Sequence, residues 1–120
     1  MTVRRLKSYT GETGYVYQYY FVGKRAALAD DKLAPATEFV FDVSSDRKQT
    51  FAVSIFLRAA AVANWQAEHG RELVEAEQYA ATKMMLFQAF DEIEHLMEQG
   101  RRLVIGAEEL EGLLAKVGVE

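Results

Sequence analysis

The chain has no cysteine, and that single absence removes disulfide bonds, thiolate zinc sites and thiol catalysis together. It fits a reducing compartment, so a cytoplasmic location is the expectation. Long apolar runs are missing too: nothing approaches the roughly 18 residues needed to cross a bilayer. The opening Met1-Thr2-Val3-Arg4-Arg5-Leu6-Lys7 is basic but lacks the apolar stretch of about 7–15 residues that marks a secretory signal. No membrane partner is expected. Positive charge is not in excess either. Fourteen Lys and Arg face eighteen Asp and Glu, a net charge of −4, which gives no bulk pull toward nucleic acid. There is no phosphate-loop glycine pattern, no dinucleotide fingerprint and no G-x-S-x-G nucleophile elbow. Internal repeats, linkers and low-complexity segments are also absent.

What is present is ordinary for a globular protein. The 120 residues are 50% apolar and 27% charged, which suits one domain with a real core and argues against disorder. The most informative stretch is Tyr15-Val16-Tyr17-Gln18-Tyr19-Tyr20-Phe21, with five aromatics in seven residues. A half-buried strand alternates apolar and polar side chains because they point to opposite faces in turn. Here both faces are aromatic or β-branched, so the strand needs cover on two sides, from helices, a second copy of the chain or a flat ligand.

The first half reads as strands. Gly11-Glu12-Thr13-Gly14 is a turn signal, and the aromatic strand follows over residues 15–22. Residues 24–36, with charges, alanines and the only proline, Pro35, read as a loop with a short helical turn. Over residues 37–44, Thr37, Phe39, Phe41 and Val43 point one way and Glu38, Val40, Asp42 and Ser44 the other. A polar connection, residues 45–49, leads to a strand over residues 50–57 with Phe51, Val53, Ile55 and Leu57 on one face. The two strands make an antiparallel hairpin whose alternation sets its register.

The second half reads as helices. Residues 59–69 place Val62, Trp65 and His69 on one side and stop at Gly70, a natural C′ glycine. A long helix is expected over residues 73–99. Tyr79, Leu86, Phe90, Ile93 and Met97 share one arc of its wheel, and Glu77, Gln88, Asp91, Glu92 and His95 lie opposite. Leu103-Val104-Ile105 is either a fourth strand or an extended connection, and residues 107–116 form a last helix. The expected fold class is therefore α+β: an antiparallel meander of three or four strands with one face covered by the long helix and two shorter ones. The expected core includes Phe39, Phe41, Phe51, Val53, Ile55, Trp65, Leu86, Phe90 and Ile93.

Each candidate for chemistry has a plainer reading beside it. Glu92 and His95 form one Glu-x-x-His half of a carboxylate metal site, but both fall on the polar side of the helix, so no metal and no cofactor are expected. His69 near a helix C-terminus interacts with the helix dipole and can stack on Trp65. Lys83 falls among Tyr79, Phe87 and Phe90. Snorkelling accounts for it, and the alternative is an anchor for a bound anion or a lysine of lowered pKa. Met84 and Met85 lie off the main apolar stripe, where adaptable side chains suit an interaction surface.

Arg4, Arg5 and Lys7 before the aromatic strand, and Lys24 and Arg25 after it, are groups that a single-stranded nucleic-acid platform would use. Gly14-Tyr15-Val16-Tyr17 is loosely similar to the aromatic strand of the RNA-recognition motif. It lacks the small residue after the first aromatic, and strands first with helices last is not that fold's order. Nucleic acid is a disfavoured partner. The leading expectation is a non-enzymatic, homodimerising interaction domain that uses Tyr15, Tyr17 and Tyr19 or Met84 and Met85. The alternative is a small-ligand binder or enzyme with a tyrosine-lined cleft between sheet and helix, anchored by Lys83.

Overall fold

The structure is a computed structural model and describes residues 6–11, 14, 16–28, 34–46, 48–93 and 96–119, without the side chains of residues 97 and 99. Alternation in the first half produces β1 (Lys7–Thr10), β2 (Val16–Leu28), β3 (Pro35–Ser44) and β4 (Phe51–Arg58). The second half supplies α1 (Ala59–His69), α2 (Glu75–Glu92), α3 (Leu96–Gln99), β5 (Arg102–Ile105) and α4 (Ala107–Lys116). The strands form one five-stranded sheet in the order β1-β2-β3-β4-β5. The fold is α+β, with one strand more than expected. Leu103-Val104-Ile105 is indeed in a strand, and it runs parallel to β4 because α1 and α2 lie between and carry the chain back across the sheet.

The β3–β4 hairpin has the register its alternation requires, with Phe39 opposite Ile55, Phe41 opposite Val53 and Val43 opposite Phe51. All six are buried. Its connection is held by Asp46, whose carboxylate accepts the backbone N–H groups of Lys48 and Gln49 at 2.8 and 2.9 Å.

The loop expected over residues 24–36 is a strand on both sides of residues 29–33, which lie outside the described residues. β2 continues to Leu28, paired with Pro35 at the start of β3. Proline is tolerated as the first residue of a strand, where its missing N–H costs little. A β-bulge hid the continuity. Phe21 pairs with Phe41 and Gly23 with Val40, so Val22 is an extra residue and the alternation changes phase. Before the bulge Tyr17, Tyr19 and Phe21 face the helices. After it Lys24, opposite Phe39, takes that side and Arg25, opposite Glu38, takes the other.

Gly70 ends α1 with φ 67°, a left-handed conformation that glycine takes at little cost, and donates its N–H to Gln66 O at 2.9 Å. The long helix expected over residues 73–99 is interrupted. α2 stops at Glu92, Ile93 has φ −102° and ψ 110°, and α3 is one short turn. Twenty-seven residues of straight helix would run about 40 Å, carrying the chain past the sheet just where Arg102 must lie beside Ser54. The break lets Leu96 enter the core.

The main core joins the odd-numbered residues of β3 and β4 to Trp65 of α1, Leu86 and Phe90 of α2 and Leu110, Leu113 and Leu114 of α4. Of the expected core only Ile93, at the helix break, is half-buried. A second, smaller cluster on the other face contains Ala36 and Phe56 with Ala27, Ala34 and Val104, and among the described residues no helical one joins it. The helices thus cover one side of the sheet. Phe90 is central to that cover, and Phe90→Ala should cost about 3–5 kcal/mol, read as a lower urea midpoint, while Phe90→Asp should abolish the folded far-UV circular dichroism signal.

Candidate functional site

The inward rings of β1 and β2 are closed off by α2. Tyr17 stacks on Phe90 with centroids 4.3 Å apart, and Tyr9 stacks on Phe87 at 4.5 Å. Tyr19 meets Phe87 edge-on at 5.5 Å and Phe41 at 6.4 Å. The Tyr9 hydroxyl donates to Asp91 Oδ2 at 2.7 Å, which draws in a residue of the expected polar side of α2. Tyr17 and Tyr19 are 8% and 4% exposed, so no open tyrosine-lined cleft separates sheet and helix at this point. Tyr15 lies outside the described residues. Phe21 is 37% exposed at the margin of this seam, with Tyr79 edge-on at 5.0 Å.

Lys83 is at the same margin. Its ammonium lies 5.7 Å from the Tyr79 ring centroid and 5.8 Å from that of Phe87, within cation–π range. Burial pushes its pKa below the ordinary lysine value, and the neighbouring ammonium of Lys7 pushes it further. Sequence reading placed Lys83 among these rings but had no means of placing Lys7 beside it. That contact follows from the register of β1, which sets Lys7 opposite Tyr19 on the helix side of the sheet.

Met84 and Met85 are partly buried against the main core. Met85 lines a shallow cleft of about 200 Å³ between α2 and α4, with Gln88, Glu108, Glu109, Gly112, Leu113 and Lys116. Its cover therefore comes from the last helix. His69 stacks on Trp65 at 4.2 Å, and its Nε2 lies 2.9 Å from Glu111 Oε2, a packing and pairing role. Glu92 is exposed, and His95 lies outside the described residues. Among the described residues no cluster of three metal-ligating side chains occurs.

The sheet face away from the helices carries a feature that sequence reading missed. Register sets five rows across it: Gln18–Ser44, then Tyr20–Asp42–Ala52, then Val40–Ser54–Arg102, then Arg25–Glu38–Phe56–Val104, then Ala27–Ala36–Arg58. Glu38 is only 6% exposed although no helix covers it. Its Oε1 accepts from Arg25 Nε at 2.8 Å and its Oε2 from Ser54 Oγ at 2.6 Å. Arg102 lies over the Phe56 ring at 4.5 Å and adds its charge. The Arg25 bond, the Ser54 hydroxyl and the Arg102 charge hold the Glu38 carboxyl below its ordinary range against the opposing effect of burial. In the next row the Tyr20 hydroxyl donates to Asp42. The sequence signal was the polar phase of β3, but its meaning depended on which residues the neighbouring strands set beside it.

Comparison with protein-family models, curated proteins and solved structures found no match. Since the folded-state pKa of Glu38 is depressed, its contribution to stability is present above the ordinary carboxylate pKa of 4.5 and is lost as pH falls through the lower folded value. Urea midpoints of the native chain and Glu38→Gln should therefore differ most near neutrality and converge on acidification. A gap that ignores pH would contradict the ionised pairing.

Proposed function

We propose that this chain is a non-enzymatic interaction module that pairs with a second copy of itself through the sheet face its helices leave uncovered. The observation that carries the reading is the state of that face. Val16 and Val22 are 40% and 47% exposed there, beside the half-buried Tyr20 and Val40, while the chain's own helices all pack on the opposite side. Exposed apolar side chains on a rigid sheet, here set among polar ones, offer a surface for association. The aromatic strand supplies this surface through its outward phase, since Tyr17 and Tyr19 are already occupied by α2.

A second copy suits the face better than an arbitrary partner because its charges are sorted. Asp42 lies to one side of Val40, while Arg25, paired with Glu38, and Arg58 lie to the other; Arg102 shares the Val40 row and leans over Phe56 toward the arginine end. A two-fold axis near Val40 sets the acidic end of each copy against the basic end of the other, an isologous and self-complementary contact. The inward aromatics leave little stacking surface for single-stranded nucleic acid. The lack of cysteine supports a reducing, cytoplasmic setting, and no helix among the described residues is long and apolar enough to cross a membrane.

Sedimentation velocity over a range of concentrations tests the proposal. The expected result is reversible association above the 13.6 kDa monomer, weakened by salt. Val40→Lys should dissociate it by at least about tenfold, roughly 1.4 kcal/mol, with circular dichroism unchanged. A monomer at every concentration overturns the reading.

A further inference from the structure

Most basic side chains that the fold brings against α1 or α2 meet a carboxylate. Lys24 donates to Glu75 at 2.7 Å, Arg71 pairs with Glu77 at 2.9 Å, and His69 reaches Glu111. Lys7 and Lys83 are different. Lys83 of α2 lies beside the Tyr79 and Phe87 rings, and Lys7 of β1, opposite Tyr19 on the same side of the sheet, comes up beside it. Among the described residues neither has an ion-pair partner. Lys7 is close enough to Lys83 for its charge to lower the pKa of that ammonium. Lys7 is exposed and Lys83 half-buried, so the two ammonium groups meet beside apolar rings where water screens their repulsion only in part, an unfavourable contact until an anion bridges them.

From this geometry we infer that Lys7 and Lys83 form a binding site for a small oxyanion, a phosphate or carboxylate group bridging the two ammonium groups at the edge of the β1–β2–α2 seam. A bridging oxyanion turns the repulsion into two charge-assisted hydrogen bonds. The half-exposed Phe21 and the Tyr79 ring offer a wall to whatever apolar body carries the anion. The site lies on the helix side of the sheet, away from the face assigned above to self-association, so the two readings succeed or fail separately.

The site also has a proton signature. The titratable groups beside Lys83 are Lys7 from β1 and Tyr79 from its own helix, and Tyr19 of β2 lies behind Phe87. Burial is the main cause holding both phenols above their ordinary pKa, so they stay neutral near pH 7. The nearby Asp91 carboxylate accepts the Tyr9 hydroxyl. With no anion bound, the crowded Lys83 ammonium loses its proton more readily than an ordinary lysine. A bound oxyanion favours the charged form, so binding is coupled to proton uptake by Lys83.

The full chain, carbon-13 labelled at lysine, is titrated with inorganic phosphate and in parallel with phenyl phosphate, against chloride at matched ionic strength. Saturable millimolar binding is expected, tighter for phenyl phosphate if the ring wall takes part. The Lys83 side-chain titration should move to higher pH as phosphate saturates. Lys7→Gln and Lys83→Gln should each weaken binding about tenfold, the scale of one charge-assisted hydrogen bond, while Lys48→Gln, on the β3–β4 connection, should not. The site is overturned by absence of saturable binding, by affinity equal in all three variants, or by a Lys83 titration in the native chain that phosphate leaves in place. The last readout needs no substitution, so a variant that fails to fold does not rescue the proposal.

Discussion

Tyr17 lies flat on Phe90 and Tyr9 flat on Phe87, with Tyr19 edge-on between them, so α2 is joined to the first two strands almost wholly through aromatic rings. Stacked and edge-on pairs of this kind add about 0.5–1.5 kcal/mol each beyond the area they bury. The seam attaches a four-residue edge strand, β1, that would be marginal by itself. It places the end of α2 so that Leu96 can drop into the core and β5 can run beside β4. It also uses up the inward phase of the aromatic strand, and so sends the remaining apolar surface of β2 to the other side of the sheet.

One extra residue, Val22, governs how the rest of β2 is used. Without the bulge Lys24 would point outward and Arg25 toward the helices. With it, Lys24 reaches Glu75 in the first turn of α2, where the carboxylate also suits the positive end of the helix dipole, while Arg25 reaches the nearly buried Glu38. The exposed pair contributes little. The Glu38 network differs, because a carboxylate this enclosed would be costly without the guanidinium and the hydroxyl that meet it.

The electrostatics are consequently local. The total charge is acidic, yet arginines gather at one end of the uncovered face and two lysines meet at the seam margin with no ion-pair partner among the described residues. Since screening confines such fields to about 10 Å at moderate salt, the net charge of the chain says little about either surface. Self-association and oxyanion binding draw on opposite sides of one sheet, and each depends on which phase of a strand was left over after the core had been packed.

Alternation in Phe39-Val40-Phe41-Asp42-Val43 and in Phe51 to Leu57 was sufficient to read the central hairpin and its buried face, and Gly70 with the leucines of residues 107–116 marked a helix end and a helix almost to the residue. Such signals are local: side-chain period and terminal chemistry are carried by neighbours along the chain. The course of residues 24–28, the interruption of the long helix, the parallel pairing of β5, and the meetings of Lys7 with Lys83 and of Glu38 with Arg25 and Ser54 were decided only in three dimensions. Each requires knowing which distant segment lies alongside, and a bulge or a helix break changes that answer by one residue's phase while leaving composition and period nearly untouched.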